Sequence, residues 1–316
     1  MNNGRAVMGW MLSAAFIILT GSGCAGTRPT PLPSVMAEAL RHNERGVRAE
    51  ALGRPDVALA EFGEALRCYR SVEDREGVAA EIINISRTCR LRGDLGCARE
   101  FLAQAGAADV LSPHLAAELL FERAKLALAE GDLTTADRYA RELLALQGEA
   151  APASTHNLAG LILLRLGKPQ DALREATIAL RLAPGAGHRA EAANANRLLA
   201  GCHAAAGNRQ QAEAAYDRAL ALDRELANPG KIADDLRGLG ELAARYGESD
   251  RAIAFFQRAC TVSSNAGDTR AAVRDLQGIE ELYRKTGRNA DAERTARLRE
   301  TLTRNIGATG GTQHPH

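Results

Sequence analysis

Apolar residues recur along most of this chain at the spacing of one helix face, and short polar turns separate the periodic stretches. After Ala58, for example, Phe62 and Ala65 follow at four and seven residues, and later stretches repeat this spacing. Positions i, i+4 and i+7 lie on one side of an α-helix, so the pattern predicts a series of amphipathic helices. Residues that favour strands are scarce, and aromatic residues make up 4% of the chain. We therefore expect an all-α fold.

A glycine followed five residues later by an alanine occurs seven times at a near-constant period. The pairs are Gly53/Ala58, Gly93/Ala98, Gly131/Ala136, Gly167/Ala172, Gly207/Ala212, Gly247/Ala252 and Gly287/Ala292. Successive alanines lie 36 to 40 residues apart, a period typical of repeat architectures. The glycine suits the position just past a helix end, where φ is positive, and the small alanine lets two helices approach closely one turn later. Each period therefore predicts one helix-turn-helix unit.

One of these units keeps most of a known motif. It contains Leu239 and Gly240 in its first helical stretch, then Ala252, Phe256 and Ala259 in its second. This order of Leu-Gly, Ala-x3-Phe and Ala resembles the tetratricopeptide repeat family. The resemblance implies an all-α, right-handed superhelical solenoid of about seven helix-turn-helix repeats. A plain helical bundle would not explain the period, and the glycines interrupt the heptads that a coiled coil needs.

The chain departs from the family pattern in three respects. No unit has the family's Trp, and the usual Tyr of the first helix survives only as Tyr283. The period near 40 residues also exceeds the roughly 34 residues of the family. The Gly-x4-Ala hinge that sets each helix pair is nevertheless kept in all seven units, so the resemblance covers residues 36–305.

The beginning of the chain has the three-part shape of a secretory signal. Arg5 is its only charge, an apolar run follows, and small residues precede Cys24. This arrangement resembles the bacterial lipoprotein signal, which implies that residues 1–23 are removed and that Cys24 is lipidated. Gly21 stands where that family prefers Leu, and ordinary signal cleavage or an uncleaved anchor are the alternatives. The Pro-rich residues 24–35 predict an extended spacer.

The two ends of the chain predict where the protein is located, and its net charge excludes one class of ligand. Ala25 directly after Cys24 resembles lipoproteins that are sorted to the outer membrane, so we expect an anchored protein that faces the periplasm. At the other end, residues 306–316 are rich in Gly and Thr and predict a disordered tail. The chain has 40 basic and 39 acidic residues. A nearly neutral protein lacks the basic field that general nucleic-acid binding requires.

Candidate chemistry is sparse. Besides the predicted lipidation site, the cysteines are Cys68, Cys89, Cys97, Cys202 and Cys260. None forms C-x-x-C, which argues against a zinc or thioredoxin-like site. Cys89 and Cys97 flank the Gly93 turn, so this pair alone is close enough for a disulfide; alternatively, all five are small core residues. The G-x-G-x-x-G match at residues 21–26 lies in the signal region, so we expect no cofactor, no metal and no catalysis.

The family resemblance implies that the first helix of each pair lines a concave groove. The charged residues at its groove positions are mostly basic, which predicts a mildly electropositive surface; the general abundance of Arg is the alternative explanation. The expected partner site comprises Arg237, Arg245, Arg274, Arg284 and Lys285, with Phe121 and Lys125 as a second contact. The carboxylate clamp of chaperone-binding relatives is not predicted, because Gly201 and Leu161 stand where that clamp needs Asn.

Two hypotheses of function follow from the resemblance. The first is a lipid-anchored envelope scaffold that binds a protein or peptide in its groove and assists pilus, secretion or outer-membrane assembly. The second is a binding module for an acidic glycan or another anionic ligand in the export of envelope polysaccharide. Both are binding functions, and the sequence does not decide the oligomeric state.

Overall fold

The structure, a computed structural model, describes residues 34–310, with side chains up to residue 305. Fourteen α-helices and no strand occupy this part of the chain. The helices are α1 (Ser34–Ala51), α2 (Pro55–Ser71), α3 (Arg75–Arg92), α4 (Leu95–Gln104), α5 (Pro113–Glu130), α6 (Leu133–Gln147), α7 (Ala153–Arg165), α8 (Pro169–Leu182), α9 (Arg189–Ala205), α10 (Arg209–Glu225), α11 (Pro229–Arg245), α12 (Ser249–Asn265), α13 (Thr269–Lys285) and α14 (Asn289–Gly310). Consecutive helices pair into seven repeats, numbered 1 to 7, each with a first and a second helix. The all-α solenoid prediction is confirmed.

The predicted hinge lies between the two helices of every repeat. All seven hinge glycines have a positive φ, from 68° at Gly53 to 84° at Gly93. Six of the seven hinge alanines have no exposed surface, and Ala292 is 3% exposed. A side chain larger than Ala at these positions would push the two helices apart, because the interior is close-packed. In the Gly-x4-Ala pattern, the glycine therefore marks the turn and the alanine marks the point where the two helices cross.

The joints between successive repeats also use left-handed backbone. The residues with positive φ there are Glu73, Gly106, Gly148, Gly185, Ala227 and Gly267. Glu73 and Ala227 adopt φ values of 55° and 50°, a conformation that costs side-chain-bearing residues energy. In the joint after Glu73, the carboxylate of Asp74 accepts a hydrogen bond from the Gly77 backbone N–H, which caps α3.

The curvature of the solenoid follows from which helices touch across repeats. From α3 onward, the first helix of one repeat packs against the first helix of the next, most closely for α3 with α5 and α7 with α9. Second helices make no comparable contact with one another in the described chain. The first helices are therefore crowded together on the inner side, and the second helices spread apart on the outer side.

The solenoid extends slightly beyond the predicted limits. The first helix begins at Ser34, and the last helix continues to Gly310, so residues 306–310 of the expected tail have helical backbone. The predicted signal at residues 1–23, Cys24 and most of the spacer lie outside the described residues. Within residues 34–310, no helix is both long and apolar enough to cross a membrane.

Candidate functional site: the inner channel

Opposite walls of the solenoid come close together on its inner side. Arg270 of repeat 7 lies so near the hinge of repeat 2 that a Cβ on Gly93 would be 2.8 Å from its Nη1 atom. Lys231 of repeat 6 is near enough to Lys125 of repeat 3 for its charge to act on that ammonium group. The first helices therefore enclose a channel rather than an open groove.

The channel rises steadily as the chain winds around it. Counted from the hinge glycine of its own repeat, Lys231 lies ten positions further toward the helix N-terminus than Lys125, three repeats away. By the same count, Arg270 and Gly93 are offset by seventeen positions over five repeats. At ~1.5 Å per helical residue, both offsets correspond to a rise of roughly 5 Å per repeat. The channel thus follows a helical course that suits an extended ligand.

One position shows how the channel changes along its length. We call the residues six positions before each hinge glycine the channel row. The row consists of Val47, Arg87, Lys125, Leu161, Gly201, Glu241 and Glu281. It is basic in repeats 2 and 3, apolar or without a side chain in repeats 4 and 5, and acidic in repeats 6 and 7.

Lys125 and Phe121, predicted as a second contact, lie together in repeat 3. The Lys125 ammonium stands 5.2 Å from the centre of the half-buried Phe121 ring. Burial lowers the pKa of Lys125 to about 8, and the nearby charges of Arg90 and Arg87 act in the same direction. No carboxylate in the described chain forms an ion pair with Lys125, since Glu122 is engaged by Arg90.

A second set of charges surrounds Glu241 of repeat 6. Its carboxylate is exposed to solvent within the channel, and partial burial raises its pKa against the opposing effect of nearby arginines. Besides Arg237, these are Arg165 of repeat 4, Arg245 of repeat 6 and Arg274 of repeat 7. We call Arg165, Arg245 and Arg274 the arginine cluster.

Of the five basic residues in the main part of the expected partner site, only Arg245 and Arg274 belong to this cluster. Arg284 forms an ion pair with Glu280, which also accepts a hydrogen bond from Arg299 Nε at 2.8 Å. Lys285 is exposed and forms no ion pair within the described residues. The expected partner site is therefore divided between the channel around Glu241 and the end of α13.

Arg237 has a different role from the one expected. It is buried, and its Nε donates to Asp275 Oδ1 of the next repeat at 2.6 Å while Nη1 donates to Asp234 Oδ1 at 2.8 Å. Asp275 has no exposed surface. The expectation that Arg237 belongs to the partner site is corrected, because its guanidinium is buried and forms the contact between repeats 6 and 7.

The same joint recurs elsewhere in the solenoid. Arg197 occupies the equivalent position of repeat 5, and its Nε donates to Asp235 Oδ1 at 2.7 Å, again 38 residues further along. In repeat 4 the equivalent residue is Asn157, whose Nδ2 donates to the backbone carbonyl of Glu191 at 3.0 Å. Asn157 Oδ1 is the one buried side-chain N or O atom without a partner among the described residues.

One spacing in the sequence indicates these contacts between repeats. The Arg-to-Asp spacing of 38 residues occurs twice, at Arg197/Asp235 and at Arg237/Asp275, and marks a contact between repeats. The expected partner site does not include Arg165, because its main residues all lie in the last two repeats and Arg165 belongs to repeat 4. Its neighbour Glu241 belongs to a repeat two units later, which only the curvature brings near.

The predicted disulfide pair lies beside the channel. The structure joins Cys89 and Cys97 across the Gly93 hinge, with Cα atoms 5.9 Å apart, within the range that a disulfide requires. The bridge therefore braces the turn against which Arg270 lies. Cys68, Cys202 and Cys260 are free thiols. No group of three or more His, Cys, Asp or Glu residues in the described part of the chain is arranged to hold a metal ion.

Comparisons with known proteins agree with this architecture. Residues 191–265 match the family model of the tetratricopeptide repeat. A Rap protein complexed with Competence and Sporulation Factor is similar over 84% of this chain and 77% of its own, with 13% identity and a TM-score of 0.68. NprR in complex with its cognate peptide NprX is similar over 86% and 79%, with 13% identity and a TM-score of 0.64.

A third solved structure has the same fold at lower similarity. It is a tetratricopeptide repeat protein from Parabacteroides merdae ATCC 43184, with 16% identity and a TM-score of 0.51 over 82% of this chain and 99% of its own. Comparison with curated proteins gives no sequence match. At these identities the structural likenesses show the fold, a tetratricopeptide-repeat-like solenoid.

Proposed function

We propose that this protein is a binding scaffold that takes an extended peptide segment of a partner protein into its inner channel. The observation that carries the proposal is the enclosure of the channel, in which Arg270 of repeat 7 lies against the Gly93 hinge of repeat 2 and the charge of Lys231 in repeat 6 acts on Lys125 in repeat 3. Two proteins of similar fold are complexed with ligands, NprR with its cognate peptide NprX and a Rap protein with Competence and Sporulation Factor.

The lining of the channel supports a peptide as the occupant. Its row of side chains passes from basic through apolar to acidic within six repeats, so it offers partners for ionic and apolar side chains alike. An extended peptide presents such a mixture at intervals of ~3.3 Å. We propose that the protein acts by binding and not by catalysis, because tetratricopeptide repeats typically form interaction surfaces.

Photo-crosslinking from inside the channel tests this proposal. A photoreactive amino acid at Leu161, which is 38% exposed on the channel row, should capture a partner whose crosslinked peptide can be mapped by mass spectrometry. The matched control places the same group at Leu182, which is 41% exposed at the end of outer helix α8. Capture from Leu182 but not from Leu161 would place the binding surface on the outside and refute the proposal.

The same experiment distinguishes the alternative ligand. The unpaired cations Lys125 and Arg274 favour an anionic ligand, and an acidic glycan would meet that requirement as well as an acidic peptide. A crosslinked adduct that carries sugar and no peptide would favour the module for envelope polysaccharide export.

We also propose that Cys24 is lipidated and holds the solenoid at the cell envelope, at a distance from the membrane that the Pro-rich spacer of residues 24–35 sets. The apolar run and the small residues before Cys24 support this proposal. Labelled palmitate should be incorporated into the wild-type chain and not into Cys24→Ala, which should be released from the membrane fraction. Absence of label in the wild-type chain would refute the anchor. A role in pilus, secretion or outer-membrane assembly would depend on the partner that the crosslinking identifies.

A further inference from the structure

We propose that the arginine cluster is a seat for a carboxylate of the bound peptide and that an apolar side chain next to this carboxylate rests on Leu161. The proposal rests on the proposed function, because it names the chemistry of the segment that the channel takes. The carboxylate can belong to an acidic side chain or to the C-terminus of the peptide, which share the same chemistry.

The arginine cluster differs from Arg197 and Arg237 because none of its members forms an ion pair with a carboxylate in the described chain. Arg197 and Arg237 each hold a carboxylate of the next repeat. Neither Arg165 nor Arg274 forms an ion pair within the described chain, and Arg245 donates only to the backbone carbonyl of Ala204. Three guanidinium groups from three repeats thus act on Glu241, and Arg274 also acts on Asp275, whose carboxylate is already held by Arg237.

Guanidinium groups are suited to binding a carboxylate. Each presents planar N–H donors that can form two parallel hydrogen bonds to the two carboxylate oxygens. Because the arginines stand on repeats 4, 6 and 7, a ligand carboxylate between them would also connect separate parts of the channel wall. Partial enclosure strengthens such pairs relative to pairs on an open surface.

The neighbouring groups favour an acidic residue beside an apolar one. Leu161 lies one helical turn before Arg165 in α7 and therefore on the same face, and it is 38% exposed. Gly201 occupies the channel-row position of the next repeat, where a Cβ would be 2.7 Å from Leu164 Cδ2. Leu164 therefore fills the space beside Gly201, and the exposed side chain of Leu161 is the apolar surface on which a ligand group can rest.

Glu241 should weaken the seat. Its carboxylate faces Arg165 from α7, Arg237 and Arg245 from α11, Arg274 from α13 and the Tyr216 hydroxyl from α10. A ligand carboxylate among these groups would be repelled by Glu241 in its charged form. Removing that charge by Glu241→Gln should therefore strengthen binding of an acidic peptide, whereas a merely structural role of Glu241 would give no gain in affinity.

The test begins with selection of random octapeptides displayed against the full mature chain. We expect the selected sequences to be enriched in Asp or Glu next to an apolar residue, and the Arg165→Met/Arg274→Met variant to lose this enrichment. Selected peptides without acidic residues would overturn the carboxylate seat but leave peptide binding intact. Failure to select any peptide would refute the proposed function itself.

Synthetic versions of one selected peptide then locate the interaction. Fluorescence anisotropy should show that the Kd rises by roughly tenfold or more when the Glu of the peptide is replaced by Gln, and likewise when the protein carries Arg274→Met. This is the loss expected when one charge-assisted hydrogen-bonded contact is removed. Glu241→Gln should bind the acidic peptide roughly 2- to 5-fold more tightly. Peptides with a free or an amidated C-terminus distinguish the two sources of the carboxylate.

The matched control is Arg294→Met on outer helix α14, where the side chain is 81% exposed. This variant should bind the peptide like the wild-type chain, and circular dichroism should show that all variants are folded. Equal loss of affinity in Arg294→Met and Arg274→Met would overturn the proposal, because the effect would then reflect net charge and not the seat. Unchanged affinity in Glu241→Gln would overturn the assigned position of the ligand carboxylate.

Discussion

The joint between repeats 1 and 2 and the joint between repeats 6 and 7 occupy equivalent positions but use different chemistry. In the first, the neutral amide of Asn43 donates to Glu81 Oε1 at 2.5 Å, and Asn84 donates to the other oxygen. In the last, the charged Arg237 donates to both oxygens of Asp275. Both acidic residues are buried, but only Asp275 has a cation in direct contact.

The difference shows that the repeat prescribes a place for a contact and not its chemistry. Between repeats 2 and 3 the equivalent residues are Ile83 and Leu119, which belong to one hydrophobic cluster. An apolar pair needs no compensation for lost hydration, whereas a buried ion pair remains favourable only while both partners are present. The C-terminal joints should therefore be the more vulnerable to single substitutions.

The largest expected effect comes from breaking the C-terminal joint. Arg237→Met leaves Asp275 buried without its cation and should destabilise the fold by about 3–5 kcal/mol, whereas Asn43→Leu at the N-terminal joint should cost about 1–2 kcal/mol. Urea unfolding followed by circular dichroism measures both. Arg284→Met, whose side chain is 61% exposed, is the control. Equal losses for Arg237→Met and Arg284→Met would contradict the distinction between the buried joint and the exposed surface.

A double variant sharpens this test. Arg237→Met combined with Asp275→Leu removes both charges and should recover most of the lost stability, because an apolar pair can replace a buried ion pair at little cost. No recovery would mean that the shape of the joint matters more than its charge.

The disulfide adds a second difference between the two ends, because only the repeat 2 hinge is bridged within the described chain. Closing a loop with a sequence separation of 8 residues should stabilise the fold by about 2–3 kcal/mol in the chain-entropy treatment. Urea unfolding with and without a reducing agent should show this loss. Cys97→Ser should already have the lower stability and should not respond to reduction; a further response would implicate other cysteines.

The N-terminal joint should make stability depend on pH. Burial raises the pKa of Glu81 to about 7 from an ordinary value of 4.5. The folded chain therefore holds a proton that the unfolded chain has lost, so this contribution is full below about pH 4.5 and disappears as the pH rises through about 7. Between pH 5 and 8 the wild-type chain should lose about 2 kcal/mol through this group.

Glu81→Gln isolates that contribution, because Gln does not titrate. The difference in unfolding free energy between the wild-type and variant chains should change with pH in the stated direction, while Glu64→Gln, at a partly exposed position of α2, should leave the pH profile unaltered. A profile for Glu81→Gln that runs parallel to the wild type would contradict the elevated pKa. Asp235, whose pKa burial also raises, contributes equally to both chains.

The smallest expected effect is the difference between two Gly→Ala substitutions at the same repeat position, one near the N-terminal end of the solenoid and one near its C-terminal end. Gly46 and Gly240 both lie seven residues before their hinge glycines. A Cβ would be 2.5 Å from the Phe62 ring at Gly46 but 3.2 Å from the Phe256 ring at Gly240. Gly46→Ala should cost about 1–2 kcal/mol net, whereas at Gly240 the better helix propensity of Ala should nearly offset the crowding. Thermal unfolding of both variants checks the order, which equal changes would contradict.

Local pattern was sufficient for the framework of this protein. A glycine that needs positive φ and a small residue at a helix crossing are requirements of single turns and single contacts, so Gly247 and Ala252 could be recognised without knowledge of the rest of the chain. The left-handed joints at Glu73 and Ala227 could not, because neither residue type favours that conformation and the packing of the flanking helices imposes it.

The site was predicted only in part for a related reason. Arg237 and Arg245 are the same residue type, eight residues apart on one helix, and both occupy groove positions of the family pattern. One is buried against Asp275 and the other is exposed near Glu241. Their environments depend on residues of other repeats, which the periodicity of a single helix does not specify.

The amino-acid sequence by itself determined the repeat, the helix pairs and the hinge positions, because these follow from backbone conformation and from burial within about forty residues. Only the tertiary structure decided which charges meet. Small rotations from repeat to repeat add up over the solenoid until Arg165 lies near Glu241 and Arg270 lies against Gly93. No local sequence pattern specifies this accumulated rotation, which is what closes the row of first helices into a channel.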